Sequence, residues 1–295
     1  MMKTEAKGKI TLFEFLNMTG IFLFSIAVLY PFWNTFILSF SDAEQASNLG
    51  MNLWPENWTT IAYEYIFTFS NVGIAYLNTI WRTVIGTLLI LLITILAAYP
   101  LSRRDLPYRN TITIIFLIAM FFSGGIIPDY LLVRNLGLLD SRWALVLPSA
   151  VNVFNIIIMR NYFMTLDKGI EESAIMDGAS YFTILRKIIL PLSKPVVVTI
   201  ALWAAVFHWN EWFHAMVYIQ DDTKEVLQTL VRDMLINVSP TAEAAQVSGT
   251  GQNTDLLLSN VRAATVMVSI GPIILVYPFA QKYFIKGIMI GSLKG

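Results

Sequence analysis

The chain has 295 residues, 56% hydrophobic and only 14% charged, with a mean hydropathy of +0.62. A soluble globular domain averages about 25% charged residues, so the apolar excess points to lipid as the solvent. Twenty Lys and Arg balance twenty Asp and Glu, so nothing suggests nucleic acid as a partner, and the absence of Cys excludes disulfides, thiolate metal sites and Cys nucleophiles together.

Read in order, residues 1–15 are a short segment with Lys3, Lys7 and Lys9, expected in the cytoplasm. Six runs follow that meet or approach the ~20 apolar residues a helix needs to cross a bilayer core: about 16–40, 77–101, 111–131, 143–164, 196–219 and 263–285. The first is too long for a signal-peptide core, and no small-x-small cleavage site follows it. Gly124, Gly125 and Pro128 interrupt the third, so its outer end is expected to be irregular and shielded by protein. The expected class is therefore an all-α integral membrane protein, with a six-span domain over 16–285 and a cytoplasmic tail, 286–295.

Cytoplasmic loops are enriched in Lys and Arg. With the N-terminus inside, fourteen of the twenty fall on inner segments, and only Arg82, Arg134, Arg142, Lys224, Arg232 and Arg262 fall outside. Both termini are then cytoplasmic. Two outer stretches carry helical spacing: Trp58, Ile61, Tyr65, Ile66 and Phe69 after Pro55, and Val226, Leu227, Leu230, Val231, Met234 and Leu235 in the outer loop 220–262. Both read as amphipathic helices at the outer interface. Ser248–Thr254 reads as a flexible polar tip.

The inner loop 165–195 is the most informative segment. Asp167 is placed to cap a helix, with Glu171 and Glu172 in its first turn, where the helix dipole favours anions. Gly178 is placed to end that helix in a left-handed conformation. A second amphipathic piece covers about Tyr181–Ile189, and Pro191 and Pro195 separate the loop from the fifth run. A helix–Gly–helix unit of this kind makes a compact knob suited to a groove on a partner.

Glu172-Ser173-Ala174, three residues, Gly178, nine residues, then Ile188-Ile189-Leu190-Pro191 closely resembles the "EAA" loop of ABC importer permeases, with Ser173 in place of the usual first Ala. Asn78-Thr79, Ala98-Tyr99-Pro100-Leu101-Ser102-Arg103, Trp209-Asn210-Glu211 and the tail Gly287–Gly295 look like carbohydrate-uptake permeases of the maltose type, most of all the second permease of LplC/YtcP-type systems. The resemblance implies a type I importer permease fold with both termini inside. It implies a multi-pass place in a bacterial plasma membrane. The implied partners are a second, different permease subunit, two ATP-binding-cassette ATPase subunits and an extracellular solute-binding protein. It makes Glu171, Glu172, Ser173, Ala174, Asp177, Gly178, Ile188, Leu190 and Pro191 the ATPase-coupling set. Glu172 would pair with a basic motor residue, Ala174 would pack in the motor's cleft, and Gly178 would permit close approach. The tip 243–254 would reach into the binding protein.

No G-x4-G-K-[ST] phosphate loop occurs, so the chain itself is expected to bind no cofactor, ATP and Mg being held by the ATPase subunits. Within the runs, Glu211 is the one deeply placed acid, flanked by His208 and His214. Three readings stay open for it: a polar bridge to the second permease, a cavity-lining group on the solute path, and, last, a His-Glu-His metal site. Asn152, Asn155 and Asn210 are placed to bond another helix or a sugar hydroxyl, and Trp209 to anchor at an interface or stack on a sugar ring. An ion-coupled secondary transporter is the competing class. It usually needs several intramembrane carboxylates and paired repeats, and one Glu with no visible repeat argues against it. An ABC permease for a non-sugar solute stays open. A membrane enzyme finds no nucleophile motif or carboxylate pair.

Overall fold

The computed structural model describes residues 11–42, 45, 50–69, 71–122, 124–236 and 259–275, and among them regular structure is helical throughout, with no strand. The chain forms two compact units, Met1–Ser70 with Met234–Val268, and Asn71–Asp233 with Ser269–Gly295.

In the first unit, helix α1 (Leu12–Phe40) opens on a capping box. Glu14 donates its N–H to Thr11 Oγ1 at 3.3 Å, and its carboxylate accepts the Thr11 N–H at 2.8 Å, which satisfies two otherwise orphan donors. Its Phe, Leu, Ile and Met side chains are exposed along most of its length. A surface of that kind is at home against lipid or another chain and not in water. Only its end is covered, at Ile37 and Ser39. There the rings of Phe36, Phe40, Trp58 and Tyr63 cluster, and the Tyr63 hydroxyl donates to Ser39 Oγ at 2.9 Å. The helix expected after Pro55 forms as α2 (Ile61–Phe69), with Ala62 and Ile66 turned inward.

The second unit is organised by α3 (Val72–Ser102), which at 31 residues is about 46 Å long. Its remaining helices are α4 (Arg109–Phe121), α5 (Ile126–Asn135), α6 (Val153–Met164), α7 (Lys168–Met176), α8 (Tyr181–Leu192), α9 (Lys194–Asn210) and α10 (Phe213–Tyr218), while α11 (Leu227–Ile236) and α12 (Ser259–Leu275) are each divided between the two units. α3 packs against α6 and α9. The main core sits at its inner end, where Ala98, Tyr99 and Leu101 meet Ile156, Met159 and Phe163 of α6, Ile184, Leu185 and Ile189 of α8, and Val196 and Ile200 of α9.

The expected runs fare unequally. α1 and α3 are each long and apolar enough to cross a membrane, and the bent pairs α4–α5 and α8–α9 raise the number to at most four among the described residues. The third run breaks as expected: Gly125 takes φ +86°, ahead of Ile126. The fourth is not one helix. A 3-10 turn, Arg142–Leu145, precedes it, and α6 starts only at Val153, where Asn152 caps it by accepting the Asn155 N–H at 3.0 Å. The fifth is also corrected, because α9 stops at Asn210 and α10 resumes at Phe213. Of the sixth, α12 covers the described part.

The second outer helix forms as α11, but its apolar side does not lie against an interface: Val226, Leu227, Leu230 and Val231 are buried in protein. Asn78 and Thr79 account for this. The Asn78 amide donates to the carbonyls of Thr223 and Glu225 at 2.9 and 2.8 Å, and Thr79 Oγ1 accepts the Leu227 N–H at 2.8 Å. These bonds pin the outer loop to the outer end of α3.

Candidate functional site

The inner loop builds the knob that its sequence predicts. Asp167 caps α7 by accepting the Gly169 N–H at 2.9 Å. Gly178 sits at φ +80°, with its N–H bonded to the Ile175 carbonyl at 2.9 Å, and the Ala179 N–H reaches the Ala174 carbonyl at 3.0 Å. This pair of bonds closes the helix in a Schellman motif, which a left-handed residue is needed to complete. Ser180 then caps α8. α8 passes through a π turn, Leu185–Ile189, where Leu190 bonds back to the Leu185 carbonyl, and meets α9 at 83°.

The nine coupling residues divide into two faces. Glu172, Ser173, Asp177, Gly178 and Pro191 are exposed. With them stand the apolar side chains of Ile175, Tyr181, Phe182 and Met176, the last 87% exposed. Glu171 and Ala174, three positions apart and so on one side of the helix, face inward instead. Ala174, expected in a partner's cleft, packs against the chain's own core, as do Ile188 and Leu190.

Glu171 is held by an arginine that sequence reasoning passed over. Arg103, directly after α3, pairs with Glu171 and takes both oxygens of Asp105 at 3.0 Å each. Tyr99 donates its hydroxyl to the same Glu171 oxygen at 2.7 Å. The Arg103 guanidinium lies 4.2 Å from the centre of the Tyr181 ring. Burial would lower its pKa, but bonds to Asp105 and Tyr99 and the Glu171 charge outweigh that and raise it, so the group stays charged. A cleft of about 490 Å³ opens beside this cluster, lined in part by Ser102, Phe163, Lys168 and Ile189. The sequence offered one clue, since Tyr99 and Arg103 are four apart on one helix face within a stretch already singled out.

A second constellation lies within the spans. The charge count places Arg82 on an outer segment. The structure corrects this: it is 1% exposed inside α3, paired with Glu211. It also donates to the Glu211 backbone carbonyl at 2.5 Å. Glu211 further accepts the His214 N–H at 2.8 Å and lies 3.2 Å from His214 Nδ1. Its charge is therefore answered within the chain, at the break between α9 and α10. His208 points elsewhere, fully buried against Gly86 of α3, and among the described residues no group of His, Cys, Asp and Glu is arranged to hold a metal ion.

The other polar residues of the expected path separate. Asn152 is spent on the α6 cap. Asn155 is buried at 5% exposure, its N–H bonded to the Asn152 cap. Asn210 is exposed and bonds the Val206 carbonyl at 2.8 Å. Trp209 is buried and donates Nε1–H to the Ser269 carbonyl at 3.2 Å. The tip 243–254 and the tail from Gly287 lie outside the described residues.

Known proteins resemble this chain in sequence and in fold. A permease protein of Bacillus subtilis, YtcP, described as belonging to a polygalacturonan/rhamnogalacturonan transport system, is 38% identical over 96% of this chain and 99% of its own. Protein LplC of the same organism is 41% identical over 90% and 89%. A crystal structure of a bacterial ABC transporter involved in the import of the acidic polysaccharide alginate contains a chain that superposes with a TM-score of 0.86 at 34% identity, covering 92% and 96%. A second alginate transporter structure, in complex with a pentasaccharide-bound periplasmic protein, matches at 17% identity and a TM-score of 0.51, a likeness of fold. The family profile described as "Binding-protein-dependent transport system inner membrane component" matches residues 90–289. The chain, a membrane protein with the type I importer permease fold, is a member of that family of ABC transporter permeases.

Proposed function

We propose that this chain is the membrane-spanning subunit of an ATP-driven importer for a carbohydrate, an oligosaccharide in particular, in a bacterial plasma membrane. The observation that supports this best is the division of α7. Glu171 and Ala174 tie the knob to its own bundle, while Glu172, Ile175 and Met176 stand free to seat in a partner. The partner is an ATP-binding-cassette ATPase, two copies of which hold the ATP and Mg. A second, different permease completes the pore, and a solute-binding protein delivers the sugar from outside. YtcP is described as part of a polygalacturonan/rhamnogalacturonan transport system, and the superposed transporter imports alginate, which supports the solute class.

ATP-driven closure of the motor dimer would displace the knob as a body and switch the spans between inward-open and outward-open arrangements. Glu172→Lys reverses the charge offered to the motor, and Gly178→Asp places a side chain and a second charge at the bend. Both variants are expected to insert normally, yet to abolish uptake of labelled oligosaccharide, tested over acidic and neutral panels, together with binding-protein-stimulated ATP hydrolysis. Wild-type uptake by both overturns the proposal.

A further inference from the structure

We infer that Arg103, with Tyr99 and Glu171, is the joint that carries displacement of α7 into α3, which makes Arg103 and Tyr99 positioning residues for transport. The inference rests on the coupling role proposed above.

Three observations converge on it. The guanidinium touches three separate segments: Asp105 in the following loop, Glu171 on α7 and the ring of Tyr181 on α8. Its own backbone is fixed to α3, because the Arg103 N–H bonds the Pro100 carbonyl at 3.1 Å. Glu171 receives a second donor from Tyr99, one turn earlier on α3, at 2.7 Å. One carboxylate on α7 is thus held from two successive turns of one span helix.

The geometry decides between a joint and an ordinary surface pair. Exposed ion pairs are weak because water screens them and long side chains wander. Here the side chains are only 16% and 21% exposed, and the guanidinium is a rigid planar fork with directional bonds on each nitrogen. Ala174 adds apolar packing between α7 and the bundle. Dispersion contacts have no preferred direction and allow sliding, whereas the fork resists both sliding and twisting. Glu171 and Glu172 therefore divide the work on one short helix, the first facing inward and the second outward.

The chain has no Cys, so a single Asn71→Cys substitution at the exposed outer start of α3 gives a unique thiol. Its labelling by a membrane-impermeant maleimide is followed in the assembled importer with and without ATP–vanadate. Vanadate trapping is expected to change the labelling rate in the parent. Arg103→Ala is expected to cut that response about tenfold, with the ATPase subunits still copurifying and still hydrolysing ATP. Tyr99→Phe is expected to cut it about threefold. The charge swap Arg103→Glu with Glu171→Arg is expected to restore much of it, a rescue that a merely structural role does not produce. If Arg103→Ala does not assemble, Arg103→Lys, which keeps the charge without the fork, takes its place, with a partial loss expected. A full response in the Arg103 variants, or a swap that rescues nothing, overturns the joint. Failure of the underlying coupling role looks different: Glu172→Lys would then respond like the parent.

Discussion

Two arginines, Arg82 within α3 and Arg103 directly after it, are each paired with a glutamate far along the chain, and the two pairs are built for different work. Arg82–Glu211 is 1% and 11% exposed, within the spans, and each partner has almost nowhere else to place its charge. Arg103–Glu171 is 16% and 21% exposed at the water-facing end and shares its donors among Asp105, Tyr99 and the Tyr181 ring. The first pair answers a desolvation problem, since a lone buried charge is far more costly than a paired one. The second sits where water could replace it, and its value lies in direction and connectivity. The same chemistry at two depths thus gives one element that holds the bundle and one suited to transmitting motion.

The sharpest way to break this contrast is to remove one buried charge. Arg82→Leu strands Glu211 and is expected to cost about 3–5 kcal/mol, seen as loss of folded protein in detergent thermal denaturation. The double variant Arg82→Leu with Glu211→Leu should recover most of the loss. Arg103→Ala should leave the melting temperature much closer to the parent, and an equal drop at both sites would erase the distinction.

A smaller effect tests the packing around the buried pair. A Cβ on Gly86 would overlap the His208 ring, which is fully buried. Gly86→Ala is therefore expected to destabilise by about 1–3 kcal/mol through overpacking, and Gly86→Ala with His208→Ala to relieve it. A neutral single variant would mean that α3 and α9 are not in close contact there.

The smallest effect uses Glu225, on the outer loop, as a natural control for a carboxylate without an arginine. Burial, then the charges of Asp233 and Asp222, push its pKa up from 4.5 to about 7. A raised carboxylate pKa means that folding takes up a proton, so stability is greatest below 4.5 and falls as pH rises toward 7. Glu225→Gln should flatten that part of the stability–pH curve. An unchanged slope between pH 5 and 7 would remove Glu225 as its source.

The sequence was most readable where one local rule was enough. The knob could be written down in advance because Asp167, Gly178 and the flanking prolines each act on neighbouring backbone. α1 and α3 were readable because their apolar runs are long. The fourth and fifth runs misled because hydropathy averages over a window, whereas a helix end is decided by a few atoms, such as the Asn152 cap or the departure of the chain at Glu211. Arg82 and Glu211 are 129 positions apart, and no periodicity relates residues so distant. Each was visible alone, one as a loop cation and the other as a lone acid, and only the packing of α3 on α9 makes them partners. The apolar side of α11 was read correctly as a helix face and wrongly as a lipid contact, because an amphipathic pattern reports that a face is covered and not by what.

The positions of the two arginines also set a mechanical ratio. Arg82 and Arg103 stand 21 residues apart on and just beyond one helix, a lever arm of about 31 Å. A tilt of about 5° at the inner end would sweep the outer position by about 3 Å, roughly the length of a hydrogen bond. Small angular strokes at the cytoplasmic face are thereby large enough to make or break contacts at the depth where α9 is interrupted.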